Sequence, residues 1–374
     1  MVGSTIEIDL AALRYNFSKV RELVGQSTAV LAVVKSDAYG HGMLPVAREL
    51  ERLGVEYLGV STCREAVALR QGGITSPILI LLGIEADELA PVIKFSLTPA
   101  IFRSDVAKAV SAAALAADAR IPVHLKIDTG MGRLGVPHSE ADTFLELIKS
   151  LEGIRLEGLL SHFASADEQD KSFSNKQLER FRRILGQAQN MGLNPRYAHI
   201  ANSAGVIDLP DAYLQLVRPG LMLYGAPPSS ELHHPVPLRP VMTLKTRVLQ
   251  LKKVPVGSPI GYGCTHTTSR PSLIATLPVG YDDGYDRLLS NKGEVLIRNR
   301  RAPVVGRISM CLTTVDVTDI PGVEQDDEVV LLGRQGDEEI TADEIAAKIS
   351  TINYEIFCNL GGNREKVFLN RSAV

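Results

Sequence analysis

Tryptophan is absent from this chain, and its four cysteines (Cys63, Cys264, Cys311, Cys358) lie far apart, with no CxxC pair and no histidine at zinc-finger spacing. That sparseness argues against a disulfide framework and a structural zinc, and no metal is expected. Aromatic residues make up only 5% and the formal net charge is only −3, so no bulk electrostatic pull toward nucleic acid or an anionic membrane exists. No segment approaches the roughly 18 unbroken apolar residues of a membrane span. The opening MVGSTIEIDL has no basic stretch leading into an apolar one, as an export signal would. A cytoplasmic protein acting on small molecules, without nucleic-acid or membrane partners, is expected.

What is there is a chain of 374 residues, 45% hydrophobic, long enough for a large barrel or two domains and for a deep site. From residue 28 to about 225, short β-rich apolar runs alternate with longer amphipathic stretches. The runs are VLAVV (30–34), YLGVS (57–61), ILILL (78–82), SLTPA (96–100), VHLKI (123–127), RLEGLLSHF (155–163), YAHIA (197–201) and LQLV (214–217). Helical stretches fall between them at 43–54, 103–119 and 174–192, the last with Phe181, Ile184 and Leu185 on one face. Eight βα units favour a closed (β/α)8 TIM-like barrel, with a doubly wound open sheet as the alternative.

Composition changes at APPSSELHHPVPLRP (226–240), which holds five prolines and reads as a linker. Beyond it the pattern is strand after strand, at 243–254, 272–279, 294–298, 303–310 and 328–333. One helix is expected near 341–350, opened by a capping box of Thr341 and Glu344. The expected division is a cofactor-binding barrel over 1–234 and a β-rich C-terminal domain over 235–374, an α/β chain overall.

Barrel chemistry sits at the C-terminal ends of the strands, and here those ends are polar. The first leads to Lys35, the fifth to Asp128 and Arg133, the sixth to Ser161 and His162, the seventh to Asn202 and Ser203, and the eighth to Arg218. A lysine partly desolvated at a barrel mouth has a lowered pKa and suits Schiff-base chemistry with a carbonyl, such as an aldehyde cofactor; the plain alternative is a solvated cap. The loops NSAG (202–205) and RPGLMLYG (218–225) follow strands that commonly hold phosphate, which makes Ser203 and the amides near Gly205, Gly220 and Leu221 the phosphate ligands or, equally, a helix cap and a turn. Arg218 can only donate. Set against a pyridine nitrogen it keeps that nitrogen unprotonated, which favours racemisation over transamination; the alternative is an ordinary ion pair. His162 is either a satisfied half-buried histidine or a relay from Arg218.

The motifs VVKSDAYGHG, KIDTGMGRLGV, LLSHFASAD, HIANSAG, VRPGLMLYG, IGYG, LPVGYDDGYDR and GRISM occur in that order over nearly the whole chain. In this the sequence resembles the alanine racemases of the fold-type III pyridoxal-phosphate enzymes. The resemblance implies pyridoxal 5'-phosphate carried on Lys35, with Lys35 as one catalytic base and Tyr262 as the other on the opposite face of the substrate. Removal and delivery of the α-proton on opposite faces need such a pair. A tyrosine with its ordinary pKa near 10 is a poor base, so a chain of Tyr262, His162 and Arg218 is implied to lower it. Tyr39, Ser203, Gly220, Leu221 and Tyr354 would hold the phosphate, alongside Asn202 at the head of the NSAG loop. Arg133 would reach the phenolic oxygen and the substrate. Tyr262 and Met310 would come from the second copy in a homodimer with shared sites. Lys126 would be carbamylated, as in some members, or remain a plain strand lysine.

Two departures from the family pattern stand out: Cys311 replaces the usual aspartate after Met310, and the tail NLGGNREKVFLN lacks the arginine-rich ending of many members. The expected activity is interconversion of L- and D-alanine, supplying D-alanine for peptidoglycan. The alternatives are a serine or broader-specificity racemase, a decarboxylase, which Arg218 argues against, and a non-catalytic pyridoxal-phosphate-binding protein.

Overall fold

The computed structural model describes residues 3–362 and 365–371; Asn363 and Arg364 of the tail lie outside the described residues, as do Met1 and Val2 of the opening segment. Contacts divide the chain into two units, each discontinuous: Arg14–Ala38 with Met43–Leu238, and Met1–Leu13 with Tyr39–Gly42 and Arg239–Val374. The expected simple division at 234/235 did not foresee that the first residues and the short segment Tyr39–Gly42 pack with the C-terminal half.

In the larger unit the eight apolar runs form eight parallel strands: Ala29–Val33, Tyr57–Val60, Ile78–Ile80, Thr98–Ile101, Ile121–Asp128, Ile154–Leu160, Tyr197–His199 and Leu216–Val217. Helices cover their outer face and the strands are largely buried on both faces, as parallel sheets require, with the rings of Tyr57, His124, Tyr197 and His199 packed on one another among the aliphatic side chains. The last strand pairs with the first, Val217 opposite Val30. On its other side Gln215 N–H donates to Ala198 O (3.3 Å) and Arg218 N–H to Ala201 O (2.9 Å). Those bonds join the eighth strand to the seventh and make a barrel rather than an open sheet. Helix Ser172–Asn190 buries Leu178, Phe181, Ile184 and Ala188 on one stripe; Leu185, expected on that face, lies at its half-buried margin. Each large side chain so buried contributes roughly 1.5–3 kcal/mol over its exposed state. The 226–240 segment is tied down at its centre, where Asp208 accepts from the amides of His233 (2.9 Å) and His234 (3.1 Å) and pairs with Lys171 (2.9 Å).

The smaller unit is mostly β. Its main sheet runs Arg300–Pro303, Glu294–Ile297, Glu328–Gln335, Met242–Arg247, Thr5–Asp9, Lys366–Leu369, with Glu338–Ile340 added beside Glu328–Gln335. Ile6 and Ile8 point inward from Thr5–Asp9, an alternation of period two. A three-stranded sheet holds Gln250–Val254, Ser272–Leu277 and Thr313–Asp316. The single strand expected at 243–254 is therefore two, belonging to different sheets. The strand expected at 303–310 ends at Pro303, followed by a lone bridge of Val304 to Val315; Gly306 then takes a left-handed φ of 78° that breaks the extended run. Helix Ala342–Ile349 starts where expected, with Thr341 Oγ1 accepting from Glu344 N (3.1 Å). The reciprocal arm of the box is replaced, because Arg301 engages both Glu344 oxygens (2.7 and 3.0 Å).

Candidate active site at the barrel mouth

Lys35, half-buried, leaves the first barrel strand at its C-terminal end. The chain then turns left-handed through consecutive residues with side chains: Ser36 (φ 54°), Asp37 (φ 53°), Ala38 (φ 56°) and Tyr39 (φ 54°). Each costs roughly 1–2 kcal/mol in that conformation, so the turn persists only because its surroundings hold it. Ala38 N–H closes the turn on Val34 O (2.9 Å). Ser36 N–H donates to Glu65 Oε1 (2.7 Å), and Met43 N–H donates to Asp37 Oδ1 (2.7 Å).

Arg218, 4% exposed, sits after the eighth strand and is met by neutral acceptors alone. Its Nη2 donates to Ser161 O (2.7 Å), Ile200 O (3.1 Å) and His162 Nδ1 (3.0 Å), and its Nη1 to His199 Nδ1 (2.9 Å). Among the described residues no carboxylate pairs with it. A guanidinium has no acceptor, so both Nδ1 atoms must be the unprotonated ones and both imidazoles carry their proton on Nε2. His199 Nε2 then donates to His124 Nδ1 (2.7 Å), which fixes the second tautomer by the first. Burial and the Arg218 charge hold all three histidines neutral, with His124 brought down to about 3. Burial lowers Arg218 itself to about 9, which leaves it charged at neutral pH. Gly158 makes room for this chain, since a Cβ there would lie 2.3 Å from His124 Nδ1.

Lys126, 7% exposed, is pushed down to about 8, first by burial and then by Arg218, Arg133 and Lys35, against Asp128. Asp128 Oδ1 accepts from Gly130 and Met131 N–H (both 2.8 Å), shaping the loop that carries the exposed Arg133. Lys35, Lys126, Arg133 and Arg218 thus concentrate positive charge at one end of the barrel with little acid beside them. Lys126 and Arg218 are buried, and buried cations call for an anion. Ser203 Oγ accepts from Gly220 N (2.9 Å) and Met222 N (3.4 Å), which leaves its own O–H to donate, and Leu221 lies buried between them. Asn202 caps the helix Ser203–Asp208, taking the Gly205 amide (3.0 Å) that the sequence offered to a phosphate. The donor set fits an anionic aldehyde cofactor: an amine, a buried guanidinium, and a hydroxyl with adjoining amides.

The remaining expected residues belong to the smaller unit. The rings of Tyr39 and Tyr354 adjoin, with centroids 5.9 Å apart, and burial, Tyr354 and Cys358 together raise the Tyr39 hydroxyl well above the usual tyrosine range. Tyr262 is 72% exposed, on a turn whose flanking Gly261 and Gly263 have φ of 69° and 70°. Met310 is 55% exposed and Cys311 also faces solvent. Sequence reasoning missed Glu65, His124 and His199. The pattern Thr62-x-x-Glu65 was a visible cap signal, and HIANSAG contained His199; nothing in one sequence pairs His199 with His124.

An eight-stranded parallel barrel with its ionisable groups at the C-terminal mouth, followed by a mostly β unit, defines a two-unit barrel enzyme with an anion-binding site. The family model for the alanine racemase N-terminal domain matches residues 8–228 and that for the alanine racemase C-terminal domain residues 241–368. An alanine racemase of Syntrophobacter fumaroxidans is 56% identical over 370 residues, 99% of this chain and 98% of that protein. The solved alanine racemase of Clostridium difficile superposes with a TM-score of 0.94 at 36% identity, covering 100% of this chain and 98% of the other. That of Bartonella henselae, with covalently bound pyridoxal phosphate, gives 0.89 at 31% identity, covering 99% and 100%. The chain belongs to the alanine racemase family, isomerases that racemise an amino acid. Among the described residues no helix is long and apolar enough to cross a membrane, and no group of three or more His, Cys, Asp or Glu side chains is placed to hold a metal.

Proposed function

We propose that this protein interconverts L- and D-alanine in the cytoplasm with pyridoxal 5'-phosphate bound to Lys35, as a homodimer that shares its sites, and supplies D-alanine for peptidoglycan. The observation that carries this reading is Arg218, a buried cation answered by two neutral imidazoles and two carbonyls and, among the described residues, by no carboxylate. Facing a ring nitrogen at neutral pH it is still charged and donates a hydrogen bond while keeping its proton. When bound, the cofactor supplies an electron-withdrawing ring that acidifies the α-proton of an amino acid joined to it.

The residues divide the remaining work. Lys35 would hold the aldehyde carbon in the resting protein and, as the free amine once the substrate's own amine has taken its place, move a proton on one face of the substrate. Arg218 orients the ring, and the Ser203 hydroxyl with the Leu221 amide holds the phosphate, the Gly220 amide steadying Ser203 Oγ and Asn202 keeping Ser203 at the head of its helix. The resemblance adds Tyr39 and Tyr354 for the phosphate, and Arg133 and Met310 for the substrate. Tyr262 moves the proton on the opposite face from a second copy, which agrees with its 72% exposure in a single chain. His162 spends Nδ1 on Arg218, so its Nε2–H is the donor left to steady a tyrosinate. Lys126, brought to about 8, has enough neutral amine near neutrality to take up carbon dioxide as a carbamate. Labelled carbon dioxide that gave no carbamate NMR signal would remove that part.

Purified protein, L-alanine and heavy water test the whole. The expected result is exchange of the α-proton with decay of optical rotation, lost in Lys35→Ala. Cofactor binding without α-proton exchange would end the racemase reading and leave a binding protein. Faster exchange with serine than with alanine would instead assign the broader activity, with Cys311 in the usual aspartate position as its reason.

A further inference from the structure

The left-handed turn after Lys35 needs a holder, and Glu65 is built as one. Its Oε2 accepts from Ser61 N (2.7 Å) and Thr62 N (3.1 Å), and Glu65 N donates to Thr62 Oγ1 (3.3 Å), which together cap helix Cys63–Gln71. Capping uses only that oxygen. The other, Oε1, accepts from Ser36 N at 2.7 Å, across 29 residues of chain. Lys35 follows the first barrel strand and Ser61 the second, and those strands are neighbours, Val33 opposite Gly59. One carboxylate thus fastens the mouth ends of two adjacent strands.

The chemistry of the contact is restrictive. All three partners are backbone N–H donors, so both oxygens must accept, and only an ionised carboxylate does that. A glutamine would turn its own N–H2 toward one of them. Ser36 is exposed, so water could serve its amide; what the carboxylate adds is therefore conformational, holding a serine in a backbone region that L-residues avoid.

We propose that Glu65 is the positioning residue for Lys35: it pins the first amide of the left-handed turn to the head of the neighbouring helix and so aims the Lys35 amine into the barrel mouth. This rests on Lys35 being the cofactor's anchor.

The first test leaves the protein unaltered. In the holoenzyme the Ser36 amide exchanges with heavy water slowly despite its exposure; exchange at the rate of a free chain would overturn the clasp. The second compares Glu65→Gln with Thr62→Ala, which weakens the same helix cap and leaves the Ser36 contact in place. Titration with pyridoxal 5'-phosphate, followed by borohydride trapping and peptide mapping, should show Glu65→Gln binding about tenfold more weakly, the worth of one charge-assisted hydrogen bond, with label spread to other lysines. Thr62→Ala should stay within about twofold and label Lys35, since an exposed cap acts on helix stability alone. Adding Ser36→Gly to Glu65→Gln should recover part of the loss, because glycine takes the turn unaided. Equal losses in Glu65→Gln and Thr62→Ala, or no recovery by Ser36→Gly, would reduce Glu65 to a helix cap and overturn the proposal. If Lys35→Ala bound and trapped the cofactor as well as the unaltered protein, the anchor assignment itself would fall, a distinct result.

Discussion

Two arginines separate the halves of this molecule. Arg301, in the smaller unit, is met by Glu294, Glu338 and Glu344, which hold its pKa above the ordinary arginine range. Arg218, in the barrel, is more deeply buried, meets no acid among the described residues, and is lowered to about 9. The first is a structural ion-pair network; the second is a charge held ready for something the chain does not itself supply. The same contrast runs through the histidines and tyrosines. The barrel hides His124 and His199 completely, whereas the smaller unit leaves Tyr262 72% exposed. One unit buries these groups, and the other leaves Tyr262 open to solvent.

The sharpest way to break that comparison is to mix subunits. Lys35→Ala and Tyr262→Phe should each lose activity by about a thousandfold, in the range for a lost proton-transfer group. Mixed and allowed to exchange subunits, they should regain about a quarter of the unaltered activity, one intact site in each mixed dimer. No regain would mean that Tyr262 serves its own chain.

Acid comes next. His124 and His199 have pKa values below those of the unfolded chain, so the unfolded state binds more protons and stability falls as pH drops below about 6.5. The slope is about 1.4 kcal/mol per pH unit for each histidine, continuing for His124 to about pH 3. Hydrogen exchange should show strand Ile121–Asp128 losing protection at higher pH than Glu328–Gln335; equal sensitivity would erase the distinction between the units.

Smaller effects sharpen it further. Gly158→Ala should cost about 3 kcal/mol in denaturant unfolding, because the His124 ring must move and release His199. Gly186→Ala, in helix Ser172–Asn190 with nothing within 4 Å of the new Cβ, should instead gain up to about 1 kcal/mol. The smallest change is Thr341→Ala, about 1 kcal/mol from the lost helix cap, with activity unaltered.

How far these features were legible depends on where their causes lie in the chain. The eight barrel strands were readable because each is a local apolar run, and Lys35 and Arg218 because strand ends in a barrel point to its mouth. Thr5–Asp9 was not recognised as a strand, although TIEID alternates cleanly, since its partners Met242–Arg247 and Lys366–Leu369 lie at the far end of the sequence. VVGRISM looked like a strand because Val304, Val305, Ile308 and Met310 are apolar, and one left-handed glycine undoes it. Thr341 and Glu344 promised a full capping box that Arg301 pre-empts, while Thr62 and Glu65 form one unannounced. The Arg218, His199, His124 chain depends on three strands meeting in register, which no local pattern encodes.

The position of Thr5–Asp9 also has a consequence for how the protein is made. It is synthesised before every barrel strand, yet it lies between two strands synthesised more than 230 residues later. Residues Arg14–Ala38 and Met43–Leu238 can form their barrel while synthesis continues, but the smaller unit cannot assemble until its last strand arrives. During that interval Ile6 and Ile8 have no sheet to enter. A growing chain of this design has to keep Thr5–Asp9 in reserve, and that unpaired strand is where a chaperone or a stray strand would find it first.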